Sequence, residues 1–399
     1  MDEVGESRAA LLRSGSGAAD EVFTTILTRS PISRIDIARR TGLSQAAVTK
    51  AVTPLVAAGI VSEHAGPPRQ KRPLGRPANP VALVADALVV LGIKVNVDEV
   101  IAVATDLQTQ VLHSARVRLT EHDPATVIEA IVSLSAQLKD LLGEAAGRIA
   151  GVGVSVSGDV DGASGMVRES AIMSWAGLDL RAELTRRLGA PVVVENDVRA
   201  LAISEHWFGV GLGTRSFAIV TIGLGIGSGL HVNGEVVEGT FGVAGELGHL
   251  PLASPDAICA CGRRGCVEAV AGTPAIVARV SAAHGRAVTI EEAVRLAHEG
   301  DEAAADAFGE AASLIGTAIA SLVNLLGPEL VIIGGEAVRN FDLFDSTLRA
   351  AFADHAFGAA SRCRILVRPH SFEDWARGAA ATVVRSLLLP QADPVSEPS

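Results

Sequence analysis

The chain has 399 residues, 48% apolar and 20% charged, with a formal net charge of −11. This composition excludes a disordered chain, and the length predicts two or three domains at roughly 100–200 residues each. No apolar run approaches the ~20 residues of a membrane span. The acidic start from Met1 to Glu6 carries no apolar signal core, so a cytoplasmic protein with no membrane partner is expected.

Residues 1–17 are polar, end in Ser14-Gly15-Ser16-Gly17, and read as a flexible N-terminus. Val22, Phe23, Ile26 and Leu27 then recur at helical spacing, and Ile37 and Ala38 mark a second helix over 33–40. Thr41-Gly42-Leu43 reads as a turn, and Ser44 as the N-cap of a third helix carrying Val48, Val52 and Leu55. Pro54 lacks a donor and crowds the Lys50 carbonyl, so this helix is expected to kink or end near Thr53. Gly59 closes it, Ile60-Val61 begins a short strand, and 66–77 is dense in Gly, Pro and basic residues.

Helix, turn, helix, strand and basic loop together predict a winged helix-turn-helix DNA-binding domain over 18–80. The helix after the turn offers Ser44, Gln45, Thr49 and Lys50 to base edges and phosphates. Arg69, Lys71, Arg72 and Arg76 in the basic loop can reach phosphates or a minor groove. Residues 1–80 carry a net charge of +4 and the remainder −15, which suits an anion meeting the N-terminus. A small helical module for protein contact is the alternative.

From 81 to 389 strand-like and helical runs alternate, which predicts an α/β architecture. Strands are expected over 88–93, 100–104, 111–119, 151–156, 192–194, 216–222 and 330–333, and helices over 125–142, 178–188, 198–208, 273–283, 290–299 and 302–326. Residues 390–399 read as a disordered tail.

Three cysteines crowd into Cys259-Ala260-Cys261-Gly262-Arg263-Arg264-Gly265-Cys266, and His249 lies ten residues upstream of the first. Three thiolates and an imidazole make a closed tetrahedral site for a structural Zn2+. Three buried thiols without metal are the alternative, and Cys363 reads as a core residue.

The segment Ile222-Gly223-Leu224-Gly225-Ile226-Gly227-Ser228-Gly229 follows a strand, where glycines let backbone approach a phosphate or close a tight hairpin. Glu195-Asn196-Asp197 ends another strand, and its Asp reads as a general base or a helix cap. Glu246, His249 and Glu268 add further polar groups. Converging Asn, Asp, Glu and His suit the hydroxyls of a sugar.

These four motifs together, Glu195-Asn196-Asp197, the Gly223–Gly229 loop, Gly245-Glu246-Leu247-Gly248-His249 and the run from Cys259 to Glu268, resemble the ROK family (repressors, open reading frames, kinases). The resemblance covers about residues 85–389, and the winged helix-turn-helix is similar to the family's repressor branch of xylose and N-acetylglucosamine regulators. It implies a two-lobed actin/hexokinase-like body with a sugar cleft. It implies sugar contacts from Asn196, Asp197, Glu246, His249 and Glu268, with His249 serving both sugar and zinc beside Cys259, Cys261 and Cys266. It implies a homodimer or homotetramer on a palindromic operator. ROK kinases open this body with an Asp-x-Gly-Gly-Thr-Lys phosphate loop. The equivalent stretch here is Gly92-Ile93-Lys94-Val95-Asn96-Val97-Asp98-Glu99, with Lys94 in place of the Asp, so no kinase activity is expected. The reading is a sugar-responsive regulator in which sugar favours one lobe closure. A sugar kinase, or a regulator whose body docks a protein, are the alternatives.

Overall fold

The computed structural model describes residues 2–63 and 80–388. The chain divides into two compact units, one formed by residues up to Leu212 together with those from Phe372, the other by Gly213–Ser371.

The first unit opens with a helix where a flexible terminus was expected. α1 (Glu3–Arg13) is capped by Asp2, whose side chain accepts from the Gly5 N–H. It is ordered because Ala9 and Leu12 are buried and because it is tied at both ends, Asp2 N–H to the Gly147 carbonyl and Arg13 to the Ala150 carbonyl. α2 (Gly17–Arg29), α3 (Arg34–Thr41) and α4 (Gln45–Ala57) follow, with Gly42 in the left-handed conformation at the turn and Ser44 capping α4 at Ala47 N–H. α4 continues past Pro54 to Ala57 and does not end near Thr53. Only one helical bond is lost there, and burial of Val52 and Leu55 on either side holds the turn.

Three short strands, β1 (Ile32–Ser33), β2 (Val61–Glu63) and β3 (Pro80–Leu83), form an antiparallel sheet in the order β1-β3-β2. This completes a winged helix-turn-helix head. Residues 64–79, which join β2 to β3, and the expected tail from 390 lie outside the described residues, and Arg69, Lys71, Arg72 and Arg76 with them.

The rest of this unit is a five-stranded sheet. β4 (Val89–Val95), β5 (Glu99–Thr105) and β6 (Val111–Arg118) form an antiparallel meander, and α5 (Pro124–Leu142) leads to β7 (Ile149–Val156), which pairs parallel with β4. A small antiparallel sheet, β8 (Asp159–Asp161), β9 (Met166–Ser170) and β10 (Trp175–Asp179), precedes α6 (Leu180–Leu188). β11 (Val192–Asn196) pairs parallel with β7 and runs directly into α7 (Asp197–Phe208).

The second unit repeats the plan. β12 (Phe217–Ile222), β13 (Ile226–Val232) and β14 (Glu235–Val236) are antiparallel neighbours. α8 (Glu268–Ala271), α9 (Thr273–His284), α10 (Ile290–His298) and α11 (Glu302–Leu326) lead to β15 (Leu330–Gly334), α12 (Asp345–His355) and β16 (Arg364–Val367). β15 and β16 are parallel to β12. α11 is long and apolar enough to cross a membrane, yet its apolar face from Ala304 to Val323 fills the core of this unit.

The last helix, α13 (Phe372–Ser386), returns to the first unit and lies across β4 and β7. A side chain at Gly92 on β4 would come within 2.7 Å of the Ala380 backbone nitrogen, so glycine there allows the helix to sit on the sheet. The far half of α13 joins the head. Ala380, Val383, Val384, Leu387 and Leu388 share one buried cluster with Phe23, Ile26, Val48 and Val52, and Trp207 at the end of α7 belongs to the same cluster. The head and the sheet body therefore pack as one core.

Candidate functional site

On the head, Ser44, the N-cap of α4, and Gln45, Thr49 and Lys50 in its first two turns are all exposed, whereas Val48, Val52 and Leu55 are buried. Two of the four side chains are already engaged locally. Ser44 Oγ accepts from Ala47 N–H, and Thr49 Oγ1 donates to the Gln45 carbonyl at 2.8 Å. Gln45 and Lys50 are the other two exposed side chains. Arg40 at the end of α3 is exposed on the same head, a cation that the helical spacing alone did not single out.

At the β11–α7 junction the three motif residues take three different roles. Glu195 is buried and accepts from Arg199, with 2.6 Å between the charged atoms and a further bond to Asn196 N–H. Asn196 is the N-cap of α7: its Oδ1 accepts from Val198 and Arg199 N–H, and its Nδ2 donates to the Gly158 carbonyl. Asp197 is 7% exposed and accepts at Oδ2 from Lys94 and from Ser157 Oγ, both at 2.5 Å. Val198 N–H bonds its Oδ1 at 2.9 Å. Burial pushes the Asp197 carboxyl up, but the Lys94 charge and the bonds from Lys94, Ser157 and Val198 outweigh it, and the group sits below the ordinary carboxylate range. Sequence reasoning placed Lys94 in the altered phosphate loop and missed that it reaches Asp197, a partner 103 positions away.

In the second unit the glycine-rich segment is a tight hairpin rather than a phosphate-binding loop. Ile222 pairs with Ile226, Thr221 with Gly227, and Gly223 N–H bonds the Gly225 carbonyl. Two carboxylates crowd this hairpin. Glu268 Oε2 accepts from Ile226 N–H at 3.0 Å, and a Cβ at Gly225 would lie 2.6 Å from that oxygen. The Glu336 carboxylate packs against Gly223 in the same way. A backbone nest faced with negative charge repels phosphate.

The same Glu268 faces the cysteine cluster, with Cys259 Sγ 4.0 Å from its Oε1. One potential ligand atom from each of His249, Cys259, Cys261 and Cys266 lies within 4.8 Å of the others. Cys259 Sγ is 3.8 Å from His249 Nδ1, and Cys261 Sγ is 3.9 Å from Cys266 Sγ. Tetrahedral zinc with Zn–S bonds of about 2.3 Å would set its ligand atoms about 3.5–3.8 Å apart, so the four residues fit such an ion. Without a cation, burial pushes the Cys259 thiol up to about 12, and a bound metal would reverse that. His249 presents Nδ1 to the cluster and Nε2 to Glu246 Oε2 at 3.8 Å. Cys363 lies apart, half-buried beside Arg364.

Asn196 and Asp197 belong to the first unit, and Glu246, His249 and Glu268 to the second. A family model described as "ROK family" matches residues 90–386. A putative xylose repressor of Caldicellulosiruptor sp. (strain Rt8B.4) is 30% identical over 354 residues, covering 84% of this chain and 87% of the relative. The DNA-binding transcriptional dual regulator NagC of Escherichia coli (strain K12) is 27% identical over 376 residues, covering 92% of each chain. Among solved structures, a ROK family transcriptional regulator described as a homologue of the E. coli MLC protein superposes with a TM-score of 0.80 at 24% identity, over 95% of this chain and 97% of that one. A ROK family glucokinase from Streptomyces griseus, in complex with glucose and AMPPNP, superposes with a TM-score of 0.64 at 27% identity, over 73% of this chain and 98% of the other.

Proposed function

The chain belongs to the ROK family, and on that premise we propose that it is a sugar-responsive, DNA-binding transcriptional regulator of carbohydrate-utilisation genes. Its relatives are named as repressors of sugar genes, and the match to NagC extends through the head as well as the body. The observation that carries the reading is the single core shared by the helix-turn-helix and the sheet body. α7 starts at Asn196 and Asp197 and ends at Trp207 in that core. A ligand held at its first turn acts on an element of 12 residues, about 18 Å long, whose last turn places Trp207 in the core shared with the head. Sugar shifts DNA affinity to the extent that it binds the two arrangements of that element unequally.

In this reading Asn196, Asp197, Glu246, His249 and Glu268 hold the sugar, with Asn196 limited to its one remaining amide N–H. Gln45, Thr49 and Lys50 face the operator, joined by Ser44 through its backbone cap and by Arg69, Lys71, Arg72 and Arg76 of the basic loop. The chain works in the cytoplasm as a homodimer or homotetramer on palindromic DNA. Zinc is the metal of His249, Cys259, Cys261 and Cys266. Three thiolates and an imidazole leave it no open position, so it supplies cross-linking of the loop and no catalysis. Phosphoryl transfer is not the activity: Lys94 stands where a phosphate loop would begin, and Glu336 and Glu268 crowd the second hairpin.

The test is a comparison of DNA affinities. Purified protein is expected to bind DNA from upstream of its own gene at least about a thousand-fold more tightly than random duplex at equal salt. Equal affinity for the two would overturn the regulator reading.

A further inference from the structure

The Lys94–Asp197 pair is a closed charge system. Lys94 is 4% exposed and projects from β4, and Asp197 begins α7. An ammonium has three donors and no acceptor. Nζ bonds Asp197 Oδ2 at 2.5 Å, lies 3.4 Å from Ser157 Oγ, and sits 5.5 Å from the ring centroid of Trp375 on α13. Of the other charges on the elements around it, Glu195 pairs with Arg199 on β11 and α7, and Asp374 with Arg377 on α13. Among the described residues, Lys94 and Asp197 are each other's ion-pair partner.

The acceptor side is as nearly filled. A carboxylate has about four lone-pair sites, two on each oxygen. Oδ2 receives Lys94 and Ser157, and Oδ1 receives the Val198 N–H, which leaves one site on Oδ1. An efficient general base needs a pKa near the operating pH. A carboxylate held this firmly as an anion accepts a hydrogen bond well and a proton poorly.

We propose that Lys94 is a positioning residue of the effector site, which holds Asp197 as an anionic acceptor for one sugar hydroxyl and disfavours its use as a base. The inference rests on the sugar-binding reading of Asp197 given above. It goes beyond that reading in assigning the effector response to the Lys94–Asp197 ion pair.

The experiment uses the full-length protein, with Lys94→Met, Lys94→Arg and Asp197→Asn variants. D-xylose, D-glucose and N-acetylglucosamine are titrated by calorimetry between about pH 6 and pH 8. The wild type and Lys94→Arg are expected to bind a probe sugar with affinity constant within about two-fold across that range, because the acceptor stays ionised. Lys94→Met is expected to weaken binding about ten-fold or more, with a larger loss at the acid end than at the alkaline end, because burial raises the Asp197 carboxyl once the Lys94 charge no longer offsets it. An equal loss at every pH, or no loss, would overturn the proposal. Infrared spectra of wild type minus Asp197→Asn provide a reading that needs neither sugar nor the Met variant. The Asp197 band should remain that of a carboxylate down to about pH 5, below which ordinary aspartates begin to protonate. A protonated carboxyl band above that pH would refute the ion pair's role. If no probe sugar binds wild type while the infrared band stays ionised, the sugar reading fails and the electrostatic assignment of Lys94 survives.

Discussion

The strand order of the first unit is β11-β7-β4-β5-β6 and that of the second is β14-β13-β12-β15-β16, and both follow one pattern of directions. In each, the first strand lies at the centre: the next two strands continue from it as an antiparallel meander on one side, and two strands parallel to it lie on the other. The first hairpin turn is Asn96-Val97-Asp98 in one unit and Gly223-Leu224-Gly225 in the other. In the first unit the strand ends carry a buried ion pair, Lys94 with Asp197. In the second they carry a carboxylate, Glu268, that links the hairpin to a histidine–cysteine cluster. One scaffold thus supports two kinds of chemistry, and side chains at strand ends, rather than the sheet, decide which. The first unit connects Asn196 and Asp197 to the core of the head through α7 and α13, whereas the second gathers His249, Cys259, Cys261 and Cys266 into a cluster that could hold a metal ion.

That contrast can be broken or sharpened by substitution. The largest effect is expected in the second unit. Cys261→Ser should release the bound zinc and lower the melting temperature by roughly 5 °C or more, because metal binding is linked to folding. Metal analysis of the purified variant with calorimetric melting checks it, and retention of one zinc at an unchanged Tm would remove the metal assignment.

Next comes the ion pair of the first unit. Asp197→Ala strands the buried Lys94 ammonium and should cost about 3–5 kcal/mol in urea unfolding, with a much smaller cost in a Lys94→Met background. The pH dependence has a definite sign. Asp197 titrates lower in the folded chain than in the unfolded one, where it is near 3.9. Its stabilisation is therefore present at neutral pH and lost as pH falls below about 4 toward the folded value. The stability gap between wild type and Asp197→Asn should stay level from about pH 5 to pH 8 and shrink only in stronger acid.

A smaller effect is expected at the joint between head and body. Arg8 on α1 donates to the Ala58 carbonyl at the end of α4 and to the Ala87 carbonyl, both at 2.9 Å. Arg8→Ala should cost about 1–2 kcal/mol and raise hydrogen exchange in α4 more than in β12 or β15. The smallest change is expected for Lys50→Ala, which should lower the slope of log affinity against log salt by about 0.9 if its contact is a phosphate. An unchanged slope with relaxed sequence preference would assign Lys50 to a base instead.

Much of this was legible along the chain because it is local. The helical spacing of Val22, Phe23, Ile26 and Leu27, the Ser44 cap and the long apolar face of α11 are statements about neighbours within a few turns. The cysteine spacing works likewise, since the loop from Cys259 to Cys266 closes on itself. What escaped is long-range or glycine-masked. β13 contains Gly227 and Gly229, which dilute a strand pattern, and only pairing with β12 makes it a strand. α12 and α13 lack a place in the expected series, and the return of α13 to the first unit follows from packing against β4. α1 looks polar until Ala9 and Leu12 find a core built by residues 22–61 and 380–388. The Lys94–Asp197 contact spans strands far apart in sequence, so no local pattern announces it.

The central claim is that a sugar held at Asp197 is felt by the head. Fluorescence anisotropy of labelled DNA from upstream of the protein's own gene, titrated at fixed salt with and without D-xylose, D-glucose and N-acetylglucosamine, tests it most directly. The expected result is a shift in DNA affinity of about five-fold or more with one of the sugars in wild type, the range of a typical coupling energy, and no shift in Asp197→Asn, with sugar-free affinity the same in both. An equal shift in both proteins, or none in wild type with any of the three, would contradict it.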